Sequence, residues 1–213
     1  MELTKFSHAC VRLEDGDRRL VIDPGSFSEV EEALAGVHAV LITHEHADHV
    51  DVDALSAAAA RDSALRVWAP PAVCDLLPAL GDRVTSLEPG AQLEVAGFEV
   101  RTLGGQHALI HSSVPVVPNI GFVVDGALYH PGDAFVVPPV EVSTVLVPVH
   151  APWSKVGEVL DFLIATRAAH AYNIHDGLLN QSGLRLVAGH LHRVGEAYGA
   201  EYRTLSPRET VSL

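Results

Sequence analysis

No run of this chain approaches the ~20 consecutive apolar residues needed for a helix to cross a bilayer. The opening MELTKFSHACVRLEDG has neither the basic segment nor the apolar stretch of a secretory signal. Both absences predict a cytoplasmic protein with no membrane association. Cysteine is nearly missing: Cys10 and Cys74 stand far apart in apolar surroundings, without CxxC spacing. Neither a disulfide framework nor a thiolate zinc site is expected, and two buried free thiols are. Basic residues are scarce as well. Lysine and arginine total 14 against 27 aspartates and glutamates, a formal charge of −13. Nonspecific binding to phosphates needs clustered positive charge, and no basic or aromatic platform stands out, so nucleic acid is not an expected partner. A small-molecule substrate is, held locally if bound cations offset the acidity; homo-oligomerisation is left open. Long insertions are also absent, and 213 residues at 48% hydrophobic are enough to bury one substantial core but not two. Residues 1–213 are therefore read as one domain.

Histidine, in contrast, is abundant, with 13 copies. It is the commonest neutral metal ligand and the usual proton carrier near neutral pH, so its placement matters. Short β-rich runs dominate the chain, at residues 3–6, 10–14, 19–22, 39–42, 65–68, 98–103, 120–124, 127–130 and 144–147. The turns Glu14-Asp15-Gly16-Asp17 and Val124-Asp125-Gly126-Ala127 predict antiparallel hairpins. Apolar residues recur at helical spacing over 52–60, 71–80, 155–168 and 183–198. Strands lead each half and helices intervene, an order that predicts an α/β architecture of two mixed sheets packed face to face with helices outside. The halves also share a plan. VHAVLITHEHADH and EVSTVLVPVHAPW each run from an apolar strand into a His-bearing loop before a helix, which would bring both loops to one edge of the sheets.

The chemistry concentrates in THEHADH, residues 43–49. After a buried strand, alternate residues His44 and His46 project to one side, leaving Asp48 and His49 for a neighbouring centre. This string resembles the HxHxDH signature of the metallo-β-lactamase superfamily. Further matches follow in order: Asp23 in VIDPG, His107 in LGGQHA, Asp133 in YHPGDA and His175 in NIHDG. The resemblance implies a four-layer αββα sandwich with the metal site at one edge of the sheets. It also implies two divalent metal ions, one held by His44, His46 and His107, the other by Asp48, His49 and His175, with Asp133 between them. Asp23 would accept a hydrogen bond from a ligand imidazole; a plain turn carboxylate is the competing reading. FSHACVRLE and the HPGD turn look closest to a small branch that includes ascorbate-6-phosphate lactonase-like proteins. This chain departs from that branch after VLVPV, where His150-Ala151-Pro152-Trp153 replaces a glycine-rich loop.

Such a site implies a metal-dependent hydrolase in which a metal-bridging hydroxide cleaves a small ester, lactone or phosphoester. The alternatives are an iron-dependent oxidative enzyme of the same fold, or a nuclease or phosphodiesterase. Zinc is the default metal, with manganese and iron compatible with the same imidazole and carboxylate donors. Asp48 and Asp133 would offset charge and orient the nucleophile. Among the flanking His8, His111, His130 and His150, the preferred proton donor is His150, next to Trp153 as an apolar wall, while His130 reads as structural. His170, His190 and His192 are expected in or beside helices as surface or packing residues.

Overall fold

In the computed structural model, which describes residues 1–213, the chain starts with β1 (Glu2–Lys5), β2 (Val11–Asp15) and β3 (Arg18–Ile22). A single helical turn, α1 (Val30–Ala33), leads to β4 (Ala39–Leu41), α2 (Val52–Arg61), β5 (Arg66–Ala69), α3 (Pro71–Leu76), a 3₁₀ segment (Pro78–Arg83) and β6 (Val84–Ser86). The second half runs β7 (Gln92–Val95), β8 (Phe98–Gly104), β9 (Ile120–Val124), β10 (Leu128–His130), β11 (Thr144–Pro148), α4 (Val156–Thr166), β12 (His170–Ile174), α5 (Gln181–Tyr198), β13 (Glu201–Arg203) and β14 (Glu209–Ser212).

Side-chain alternation decides the layers. In β3, Leu20 and Ile22 join a core that also takes Leu41 from β4, Phe98 and Val100 from β8, Phe122 from β9 and Leu146 from β11. That core lies between two sheets. Val21 of β3 and Val40 of β4 point the other way, against Leu55, Ala59, Val73 and Leu80 of the first helical layer. Val123, Val145 and Val147 likewise pack on Phe162, Leu163, Val187 and Leu191 of α4 and α5. The result is α, β, β, α, with each fully buried Leu, Ile or Phe contributing roughly 1.5–3 kcal/mol. No helix is long and apolar enough to cross a membrane.

The two seven-stranded sheets run β14-β1-β2-β3-β4-β5-β6 and β13-β12-β11-β10-β9-β8-β7. Counted from β14 in one and β7 in the other, both have three antiparallel pairings followed by three parallel ones. The shared plan of the halves is therefore real: β4 and β11 both stand fifth. Both predicted hairpins form, β2 with β3 and β9 with β10; Asp125 and Gly126 both take positive φ, 49° and 64°, as a type I′ turn demands.

The helix predicted over 71–80 stops at Leu76, because Pro78 lacks a backbone N–H and biases Leu77 away from helical geometry. β6, β7, β12, β13 and β14 were not anticipated. His170 consequently opens a strand rather than flanking a helix, after Arg167 in the left-handed region ends α4. Cys10 is buried, its thiol pushed up to about 12 by burial, whereas Cys74 is only half-buried.

Candidate metal centre

Each residue of the site follows the C-terminal end of a strand: His8 after β1, Asp23 after β3, residues 43–49 after β4, His107 after β8, Asp133 after β10 and His175 after β12. The 43–49 loop is fixed from both sides. Asp51 accepts from Ala54 N at 2.9 Å and starts α2, while Ser26 N donates to Ala47 O at 2.8 Å and Asp51 N to Pro24 O at 3.0 Å. Gly25 is required here by contact. A Cβ on it would lie 1.9 Å from the Asp48 carbonyl oxygen and 2.4 Å from His49 N.

Tethers at Nδ1 orient the imidazoles. His49 Nδ1 donates to Asp23 Oδ2 at 2.7 Å. Asp23 also accepts from Thr43 N at 2.8 Å and Thr43 Oγ1 at 2.7 Å, so Thr43 Oγ1 is left to accept from His44 Nδ1 at 3.0 Å. His107 Nδ1 donates to Ala108 O and His175 Nδ1 to His150 O, each at 2.6 Å. With Nδ1 protonated, a neutral ring turns a bare Nε2 inward. His46 presents its Nδ1 instead, 3.1 Å from His44 Nε2.

These bare nitrogens close on Asp133. His49 Nε2 lies 3.1 Å from Oδ1, and His175 Nε2 and His107 Nε2 lie 3.0 and 3.3 Å from Oδ2. The separations are short, yet the geometry is not that of hydrogen bonds: His49 Nε2, His107 Nε2, His175 Nε2 and Asp133 Oδ1 are buried without a partner. Each such atom costs about 1–3 kcal/mol if left so. Divalent cations seated among them would satisfy all four, and imidazole with carboxylate and no thiolate is a donor set that suits zinc, manganese or iron. The candidate ligand atoms fall into two groups, each mutually within 4.8 Å: His44, His46, His107 and Asp133, and His8, Asp48, His49 and His175.

The local field agrees. Burial holds His44 well below the usual histidine range, so it stays a neutral donor. Burial opposes ionisation of Asp48, but the His8 hydrogen bond and the nearby His49 bring its carboxyl down to about 2. Asp133 lies well below the ordinary range against burial, because His49, His107 and His175 surround it. For His49, burial is outweighed by Asp133 and Asp23 on either side, which push the ring well above its usual value; that two-sided negative field is equally suited to a dication.

The structure brings together His44, His46, Asp48, His49, His107, Asp133 and His175, with Asp23 behind His49. It adds His8, fully buried, which sequence reasoning left among the flanking histidines. Gly177 N donates to His8 Nδ1 at 3.1 Å, so the ring proton sits on Nε2 and is donated to Asp48 Oδ2 at 3.0 Å. His8 thus braces Asp48 instead of offering a lone pair. His130 is structural as expected: Nε2 donates to Ala9 O at 2.9 Å, and Nδ1 accepts from Gly132 N at 3.2 Å. His111 pairs with Ser113 on the surface, and His190 and His192 lie on α5.

His150, the preferred proton donor, stands just behind the site. Its imidazole does not line the cavity over the ligands, and only its carbonyl reaches the site, through His175. Trp153 does line the cavity, and beyond forming a wall it donates Nε1–H to Asp133 Oδ2 at 2.9 Å. The cavity is about 260 Å³ and open to solvent. Another of the same volume, between α1 and α2, contains no histidine and shares no residue with the cluster.

Residues 2–175 match the family model described as a beta-lactamase superfamily domain. This chain is a member of the metallo-β-lactamase superfamily. Among relatives, Protein Rv0786c of Mycobacterium tuberculosis is 37% identical over 218 residues and is covered, like this chain, to 100%. A UPF0173 metal-dependent hydrolase of Xanthobacter autotrophicus is 37% identical over 118 residues, spanning 51% of this chain and 49% of its own. The superfamily fold recurs in Igni18, a metallo hydrolase from Ignicoccus hospitalis. It superposes with a TM-score of 0.74 at 20% identity, over 99% of this chain and 97% of that one. The narrower likeness, carried by the Xanthobacter relative, is to UPF0173 proteins; none of the three is named for ascorbate-6-phosphate.

Proposed function

We propose that this metal-dependent hydrolase cleaves a small carboxylic ester or lactone at a pair of divalent cations, zinc by default. His44, His46 and His107 would hold one cation and Asp48, His49 and His175 the other, with Asp133 between them. The observation that carries this reading is the convergence of four buried, partnerless donor atoms at the base of an open cavity. Bound there, paired dications lower the pKa of a coordinated water to about 7 and polarise a carbonyl oxygen.

The chain's own residues supply the rest. Asp48 and Asp133 are carboxylates and balance part of the added charge. Trp153 Nε1 and His8 Nε2 each donate to one of those carboxylates, which fixes where their remaining lone pairs face. Trp153, Phe27 and Leu178 form the apolar part of the cavity wall beside the ligands.

The test is a panel of esters, lactones and phosphodiesters assayed on protein loaded with zinc or with manganese, alongside His46→Ala. Turnover of an ester or lactone that depends on metal and disappears in the variant is the expected result. Full activity in His46→Ala with both cations still bound would overturn the assignment.

A further inference from the structure

The cavity is chemically one-sided beyond its ligands. Phe27 comes from the β3–α1 connection, Ile110 from the β8–β9 connection and Leu178 from the β12–α5 connection; Pro152 and Trp153 come from the loop after β11. Four separate loops thus deliver apolar side chains to one rim. Phe27, Ile110 and Leu178 remain 46%, 39% and 50% exposed, in a chain with only 6% aromatic residues. Apolar side chains left in contact with water around a cleft mark a surface that something apolar covers.

Charge is the second, independent observation. None of the 14 lysines and arginines lines the cavity. Lys5, whose neighbourhood includes the site, is buried and committed to Asp176 Oδ1 at 3.1 Å and Phe6 O at 2.8 Å. Lys155, two residues beyond Trp153, turns to Glu158 on the surface of α4. The only charged groups in the cavity wall are the candidate ligands, and the one further polar side chain is Ser26. A phosphate or carboxylate carried away from the scissile bond would find no cation and no cluster of donors to replace its water, a desolvation that apolar walls do not offset.

We infer that the part of the substrate not undergoing reaction is an uncharged, apolar group, an alkyl or aryl substituent seated against Phe27, Ile110, Trp153 and Leu178. This deepens the ester or lactone reading and rests on it for the reacting bond alone. It excludes a substrate that is phosphorylated away from that bond, the kind the lactonase-like resemblance would have implied. Trp153 occupies a double position. Its ring edge bounds the apolar slot while its Nε1–H holds Asp133, so a seated substituent is in contact with the side chain that orients the central carboxylate.

The experiment compares δ-valerolactone, δ-decalactone and gluconolactone phosphate as substrates of the zinc-loaded protein, and the two alkyl lactams of matching ring and tail as ligands that resist hydrolysis. Lactam binding is followed by Trp153 fluorescence, with Trp153→Phe identifying the signal. The expected result is a Kd for the lactams, and a KM for the lactones, that falls roughly fourfold for each tail methylene reaching the rim, with weak binding of the phosphate. Phe27→Ser and Leu178→Ser should compress the ratio between long and short ligands. Equal binding of short and long lactams, or tighter binding of the phosphorylated lactone, overturns the inference. Because lactams bind without turnover, tail-dependent lactam affinity without lactone hydrolysis sinks only the hydrolytic reading. Lactone hydrolysis without tail dependence sinks only this one.

Discussion

Stripping the cations should cost this fold a large part of its stability, and the size of the loss can be worked from the cluster. Four buried donor atoms, His49 Nε2, His107 Nε2, His175 Nε2 and Asp133 Oδ1, lack partners within the protein. At about 1–3 kcal/mol each, leaving them bare costs on the order of 4–12 kcal/mol. A second route gives a similar figure. A cation binding only the folded state at a thousand times its Kd stabilises by about 4.1 kcal/mol, so two independent sites give about 8 kcal/mol. For a chain of this size each kcal/mol moves Tm by about 2–4 °C, so full removal should lower Tm by roughly 15–30 °C. Whole-domain stabilities are about 5–15 kcal/mol, so the stripped protein would sit near the limit of folding. Calorimetry with and without a chelator, with metal content measured on the same samples, reads this directly. One equivalent should recover roughly half the shift. If saturating zinc, manganese or ferrous iron moves Tm by less than about 3 °C, the atoms do not form a cation site and the argument from their lack of partners is wrong.

Four further outcomes are expected. Asp23→Asn sets three donors, Thr43 N, Thr43 Oγ1 and His49 Nδ1, against a single acceptor oxygen; metal affinity at the His49 centre should fall about 10–100-fold in a chelator-competition titration, and unchanged affinity would deny Asp23 its orienting role. His8→Ala frees Asp48 Oδ2, so the same titration should show weakened binding of one cation and not of the other; equal loss at both would mean general misfolding. Gly25→Ala drives a methyl group into the Asp48–His49 peptide and should cost on the order of 3 kcal/mol, whereas Gly16→Ala, with open space around it at φ 60°, should cost only about 1–2 kcal/mol. For pH, burial holds His8 and His130 below their usual value. Their contribution is complete above the unfolded pKa of about 6.5 and fades as pH falls toward the folded values. His49, pushed the other way, opposes this. Tm of chelator-treated protein should drop between about pH 7 and about pH 5, and a rise would mean that His49 dominates.

How much was legible follows from how far apart the interacting residues lie. His44, His46, Asp48 and His49 share one short loop behind an apolar strand, so their spacing alone carried the metal reading. His107, Asp133 and His175 are scattered, and only the resemblance picked them out. The bracing by His8 was not readable, because it depends on Gly177 and Asp48, 169 and 40 residues away. His150 shows a different limit. Its position beside the centre was anticipated, but its backbone carbonyl does the work, and any residue type has one. The missed strands β6, β13 and β14 are three or four residues long with exposed polar positions, too short for an alternation to register.

The matched sheets set residues of different roles at equivalent positions in the two halves. Counted from β14 and β7, β1 and β8 both stand second, β3 and β10 fourth, and β4 and β11 fifth. His8 and His107 therefore follow equivalent strands, as do Asp23 and Asp133, and the THEHADH loop and the loop bearing Trp153. Equivalent positions have taken opposite parts. His107 Nδ1 faces a carbonyl, donates to it and leaves Nε2 bare for a cation; His8 Nδ1 faces the Gly177 amide, accepts from it and keeps its proton on Nε2 for Asp48. Asp133 faces the cavity among bare nitrogens, while Asp23, fully buried behind Thr43 and His49, is saturated with donors. One backbone group beside each ring decides which histidine offers a lone pair, so ligand and brace differ by tautomer more than by residue type.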